Sequence, residues 1–218
     1  MKKSISYLTI SLLLSFCSTA QNREIPTDTI VITNHSTTIK GKNVNYQAQT
    51  GTQPVWGDKD KAIATLFYTY YRRTDIKKGS ERPLIFSFNG GPGAGSLWMH
   101  MGYTGPRILK VDSEGYPIQP YGFKSNPNSI LDEADIVFVN PVNVGYSRII
   151  ESEGKKEDRE TFFGVNQDIK YLAEWISTFI SRKNRWDSPK YLIGESYGGV
   201  RVMGLAHELQ DKQWIYLN

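Results

Sequence analysis

Residues 191–200 read YLIGESYGGV, an apolar run that ends in a serine set between glycines. The SPKYLIGE segment, residues 188–195, has the character of a short apolar strand, and GGVRVMGLAHELQ, residues 198–210, continues as a helix. Between them Gly194-Glu195-Ser196-Tyr197-Gly198 fits the G-x-S-x-G nucleophile elbow, in the strand-to-helix context that this pattern requires. The glycines have a steric reason: the turn is tight, and side chains at 194 and 198 would meet the neighbouring strand and helix. Ser196 then stands above the sheet with its hydroxyl exposed, which makes it the candidate nucleophile; an ordinary turn serine is the alternative.

Working outward from the elbow, VNQDIKYLAEWISTFISR, residues 165–182, repeats its apolar side chains at helical spacing. Val165, Ile169, Leu172, Trp175, Ile176, Phe179 and Ile180 form one stripe, leaving Asp168, Lys170 and Glu174 to face water. PLIFSFNG at 83–90 and ADIVFVNP at 134–141 are continuously apolar, as strands covered on both faces are. Strand, crossover helix, strand, sharp turn and helix predict an α/β fold with a mostly parallel sheet. TIVITN at 29–34, NVNYQAQTG at 43–51 and AIATLFYTYY at 62–71 alternate in the manner of antiparallel strands leading into that sheet. Residues 90–130 read as a long functional loop region rich in glycine and proline.

Other chemistries are disfavoured by composition. The chain has 218 residues, a formal charge of +4 and one cysteine, Cys17. Lys2 and Lys3 precede an apolar stretch from Leu8 to Phe16 and the small residues Ser18 and Ala20, a pattern that predicts an export signal over residues 1–20 and a periplasmic or secreted protein. Cys17 leaves a lipid-anchored form as the alternative, which the bulky Phe16 before it disfavours. Residues 21–218 then form one domain without cysteine, stabilised by packing instead of disulfides. Without Lys2 and Lys3 the charge falls to +2, too balanced to imply nucleic-acid binding. No later segment is apolar and long enough for a transmembrane span. Three scattered histidines and no cysteine cluster make a metal site unexpected, and no cofactor is implied.

A second motif belongs with the elbow. Phe88-Asn89-Gly90-Gly91-Pro92-Gly93-Ala94-Gly95-Ser96 follows a predicted strand, and its small residues let backbone N–H groups approach a substrate. One donor from this loop and one from the residue after the nucleophile would hold the negative oxygen of acyl transfer. A phosphate loop is disfavoured, because Pro92 interrupts the amides and no Gly-Lys-Ser/Thr follows.

NGGPGAGS, DEADIVFVNPVNVGYS, TFFGVNQDI and YLIGESYGG, in that order and at these separations, resemble the N-terminal half of the serine carboxypeptidase family, a branch of the α/β-hydrolases. The resemblance implies an incomplete α/β-hydrolase that releases C-terminal residues from peptides through an acyl-enzyme. It makes Ser196 the acylating serine and the N–H groups of Gly91 and Tyr197 the oxyanion donors. It places Asn89, Gly90 and Glu195 where a peptide's free C-terminal carboxylate is recognised. A glutamic acid beside that carboxylate shares a proton with it, which favours acidic conditions. The sequence departs from the family pattern in several places. Tyr103 occupies the position of a further carboxylate-binding glutamate and offers only a phenolic donor. Ala94 stands in place of a common cysteine, Ser87 in place of a tryptophan beside the cleft, and VRVM, residues 200–203, in place of a His-Tyr-Val-Pro run.

The missing part is the base. A serine hydroxyl needs an imidazole in hydrogen-bond reach and an acid to orient it, and in this class both follow the nucleophile in the order Asp, His. Only His207 and Asp211 follow Ser196, in reversed order, with His207 about 16 Å along the predicted helix. His35 reads as a surface group, and His100, which follows the glycine loop, is nearer the chemistry, cleft lining being one alternative for it and the base a remote one. The chain is therefore expected to be truncated before the Asp/His pair and inactive alone. A non-catalytic peptide- or partner-binding fragment, an aminopeptidase-like enzyme and an ester hydrolase remain as alternatives, and oligomeric state stays open.

Overall fold

The polar-apolar alternation of residues 29–73 folds as three long antiparallel strands, β1 (Thr29–Ile39), β2 (Lys42–Trp56) and β3 (Ala62–Arg73). Lys40 and Gly41, with φ of 47° and 76°, join β1 to β2 in the doubly left-handed two-residue turn that matches strand twist. The computed structural model describes residues 26–57, 60–76, 81–152, 155–156 and 158–218; the expected export segment, with Cys17, lies outside the described residues. The remaining strands are β4 (Leu84–Phe88), β5 (Arg107–Leu109), β6 (Phe123–Ser125), β7 (Asp135–Val139), β8 (Arg148–Ile149), β9 (Glu151–Ser152), β10 (Lys155–Lys156) and β11 (Lys190–Gly194). Helix α1 spans Val165–Arg182 and helix α2 spans Tyr197–Lys212.

The main sheet has the order β1-β2-β3-β7-β4-β11, with β8 added to β3. The strands from β1 to β7 pair antiparallel, whereas β7, β4 and β11 are parallel. The antiparallel part is longer than the sequence segments indicate. Gln53 and Pro54 interrupt the pattern of β2, yet Gln53 is buried because it exchanges hydrogen bonds with Trp175: its Nε2 donates to the Trp175 carbonyl at 3.0 Å, and the indole Nε1 donates to the Gln53 carbonyl at 3.2 Å. The loop region 90–130 also holds more structure than its composition indicates. It contains a π-helical segment, Trp98–Thr104, and the β5–β6 hairpin.

Both faces of the central strands are covered, and every residue of β4 and β7 is buried. On one face Phe86, Phe88, Val137 and Val139 meet Leu172, Trp175, Ile176 and Phe179 of α1 and Leu205 and Leu209 of α2. On the other, Ile85, Ile136 and Phe138 pack with Met99 of the π-helical segment. The stripe on α1 differs from expectation at two places. Val165 is exposed, and Asp168, expected to face water, is buried, because Arg201 and Tyr171 supply its partners. Among the described residues no helix is long and apolar enough to cross a membrane.

A buried carboxylate ties the sheet's lower end together. Asp135, at the start of β7, accepts from Arg82 Nε at 3.0 Å, from an Arg185 guanidinium nitrogen at 2.7 Å and from the Arg73 backbone N–H at 3.0 Å. Arg185 also bonds the Tyr70 hydroxyl, and burial pushes that phenol up to about 12.

Candidate active site

Strand β11 delivers Gly194 to the turn, and α2 begins one residue after Ser196. Ser196 has φ 57° and ψ −124°, a strained conformation for a residue with a side chain, and its side chain is exposed. The flanking glycines are forced by close backbone approach. A Cβ at Gly198 would lie 2.6 Å from the Phe88 carbonyl oxygen, and one at Gly194 would collide with the Gly198 carbonyl. The first turn of α2 closes on the elbow itself, the Gly198 and Gly199 N–H groups donating to the Glu195 and Ser196 carbonyls at 2.8 and 2.9 Å. The Tyr197 N–H heads the helix, where no helical acceptor exists for it.

The loop after β4 meets the elbow backbone to backbone. Glu195 N–H donates to the Phe88 carbonyl at 3.1 Å, and a Cβ at Gly90 would lie 2.6 Å from Tyr197 N and 2.8 Å from Ser196 Cβ. Gly91, next along the chain, has φ 106°, open to glycine and strained for other residues. The Gly90 carbonyl accepts from Ala94 N–H at 3.1 Å, so the Gly91 N–H on the same planar peptide points out of the loop. Asn89 is buried, donates from Nδ2 to Glu195 Oε2 at 3.2 Å and accepts the Met99 N–H on Oδ1 at 3.1 Å. Beyond the glycines, Ser96 anchors the loop, its N–H on Asn140 Oδ1 at 2.9 Å and its hydroxyl on the Val139 carbonyl.

Asn89, Gly90 and Gly91 are thus assembled with Glu195, Ser196 and Tyr197. Tyr103 stands apart: it lies exposed on the π-helical segment, and its phenol bonds neither Asn89 nor Glu195. None of the three histidines bonds Ser196. His35 is exposed, bonds Thr33 and stacks on Tyr46, while His207 is exposed on α2. His100 lies against the sheet, its ring 4.3 Å from that of Phe138 and its Nε2 2.7 Å from the Tyr71 hydroxyl. Burial pushes its pKa down to about 4, so the ring is neutral at ordinary pH. It lines a cavity of about 570 Å³ with Tyr71, Leu97, Met101, Phe138 and Tyr146. Ser87, on β4, is fully buried, and its hydroxyl has no partner among the described residues.

Behind the loop sits a pair that the sequence pattern did not single out. Arg201, 2% exposed, donates from Nε to Asp168 Oδ2 at 2.6 Å. Its two terminal nitrogens donate to the Asn89 and Pro92 carbonyls at 2.8 and 2.7 Å. The guanidinium carbon lies 5.0 Å from the centre of the Tyr197 ring. Tyr171 donates its hydroxyl to the other Asp168 oxygen at 2.7 Å and accepts the Val142 N–H, and burial raises its phenol well above the ordinary value. The one signal in the sequence was the VRVM departure, which marked the position without naming a partner.

The family described as serine carboxypeptidase matches residues 40–215. Serine carboxypeptidase-like 36 of Arabidopsis thaliana is 34% identical over 149 residues, covering 67% of this chain and 28% of the relative. Serine carboxypeptidase-like 31 of the same plant is 28% identical over 174 residues, covering 78% and 32%. The chain thus spans about a third of the length of the curated relatives it matches. Among solved structures, a prohormone-processing carboxypeptidase from Saccharomyces cerevisiae superposes with a TM-score of 0.61 at 23% identity, over 77% of this chain and 35% of that one, which shows the shared fold.

Proposed function

Since the chain belongs to the serine carboxypeptidase family, we propose that it carries the nucleophile and oxyanion half of an enzyme that removes C-terminal residues from peptides. Ser196 attacks the carbonyl of the last peptide bond, and an imidazole from outside these 218 residues takes the hydroxyl proton and returns it to the leaving amine. The Gly91 and Tyr197 N–H groups hold the oxyanion, and water then releases the acyl group from the serine. Asn89 and Glu195, already joined by a hydrogen bond, receive the free carboxylate of the substrate. Tyr103, exposed and unbonded to Asn89 and Glu195, would add its phenolic donor only if the bound peptide reaches it. The N-terminal segment 1–20 acts as an export signal, which N-terminal sequencing of the mature protein checks.

The observation that carries this reading is the contact of Gly90 with the Ser196–Tyr197 backbone, with the Asn89–Glu195 bond alongside. The test compares a peptide with its C-terminally amidated twin, using the full-length protein. Hydrolysis of the free acid, suppressed by amidation and abolished by Ser196→Ala, is expected; equal cleavage of both peptides would remove the carboxypeptidase reading. A second reading, a peptide-binding fragment without chemistry, draws on the histidines' partners, which exclude Ser196. Peptide binding to a Ser196→Ala protein, with no hydrolysis by the unsubstituted one, would favour it.

A further inference from the structure

We infer that Arg201, oriented by Asp168, is a positioning residue that sets the shape of the oxyanion loop. The inference rests on the proposed function above for its link to catalysis, but the contact itself is independent of that reading.

A buried arginine often serves only to neutralise a buried carboxylate, and one nitrogen suffices for that. Here Asp168 takes Nε alone, and the remaining fork is spent on two backbone carbonyls, Asn89 and Pro92. These two residues bracket Gly90 and Gly91. Glycines are the least restrained residues in a chain, so a loop of Gly90, Gly91, Gly93 and Gly95 has little conformational preference of its own. Fixing the carbonyls on either side of the Gly90–Gly91 pair leaves the peptide between them one orientation, and that peptide carries the Gly91 N–H. The ring of Tyr197, whose N–H is the second candidate donor, lies against the same guanidinium. One side chain therefore touches both walls of the oxyanion site and fixes their separation.

Asp168 in turn is held by Tyr171, so the fork arrives oriented from α1 while its carbon chain comes from α2. A lysine would keep the charge, but a single ammonium on a flexible stem lacks the planar fork that reaches both carbonyls and the carboxylate together.

The experiment uses Arg201→Met and Arg201→Lys. The first readout is hydrogen exchange of the Ala94 amide, which closes the loop on the Gly90 carbonyl, against the amides of Leu172 and Val137 in the core. The second is the rate at which a fluorophosphonate modifies Ser196 in the full-length protein, where the proposed imidazole is present. In both variants the Ala94 amide is expected to accelerate at least about tenfold more than the core amides, whose rates report any loss of global stability from a weakened Arg201–Asp168 pair. Modification of Ser196 is expected to slow on the order of a hundredfold, the effect of losing one oxyanion donor. If Arg201→Met fails to fold, Arg201→Lys decides. Unchanged Ala94 exchange, or acceleration shared equally by the core amides, would overturn the inference. If the unsubstituted full-length protein resists the fluorophosphonate, the catalytic reading loses its support, and the exchange measurement still decides whether Arg201 shapes the loop.

Discussion

Ser196 and Gly90 show how little of the candidate site is made of side chains. The elbow holds Ser196 at a positive φ, and the loop approaches it so closely that Gly90 has no room for a methyl group. Its would-be neighbours are Tyr197 N, the Glu195 carbonyl oxygen and Ser196 Cβ, none of which can swing aside as the end of a flexible side chain does. Gly90→Ala should therefore cost about 1 to 3 kcal/mol in denaturant unfolding and slow fluorophosphonate modification of Ser196 about a hundredfold. Gly93→Ala, where nothing lies within 4 Å of the added carbon, should leave both measurements unchanged. These glycines were legible in the sequence because backbone approach demands one residue type at fixed places. Arg201 and Asp168 were not, since a buried ion pair across 33 residues has no spacing rule, and Asp168 sits where a helical pattern reads as solvent-facing.

At the scale of elements, β4 and β7 were legible because continuous apolar runs announce burial on both faces, α1 because of its helical periodicity, and β11 from the short apolar run before the elbow, although only its first residue is buried. The extension of β2 was hidden by Gln53, whose polarity is satisfied only by a helix more than a hundred residues away. The π-helical segment was hidden by glycine and proline on either side of it. It is held to the sheet partly by His100, which is neutral in the fold and has an ordinary pKa of 6.5 when unfolded. The unfolded chain then binds a proton that the folded one does not. The resulting stability is complete above about pH 6.5 and is lost as pH falls towards about 4, up to about 3 kcal/mol in all. His100→Phe should remove this part of the slope from a series of unfolding curves between those pH values. Asp135 joins β7 to the segments carrying Arg82 and Arg185. Asp135→Ala leaves two largely buried guanidinium groups without their carboxylate and should cost about 3 to 5 kcal/mol in chemical denaturation.

In the whole molecule, β1 is the outermost strand, and its first half is exposed on both faces, with Ile30 at 44%, Val31 at 65% and Ile32 at 50%. A long apolar edge of this kind pairs with other edges unless charge blocks it. Sedimentation velocity at increasing concentration should show self-association that the Ile30→Lys, Ile32→Lys double variant reduces. The sheet's other end has a bearing on timing. Phe88 pairs with Gly194 in the β4–β11 register, and Asn89 meets Glu195 across 106 residues of chain. Strands β1, β2 and β3 can zip as local hairpins, whereas β11 must first close a loop that contains β7 and α1. A ribosome thus releases the glycine loop long before it releases the serine, and the two stay apart until β11 docks. A nascent chain carries the two walls of its candidate site as separate halves, and their meeting waits for β11.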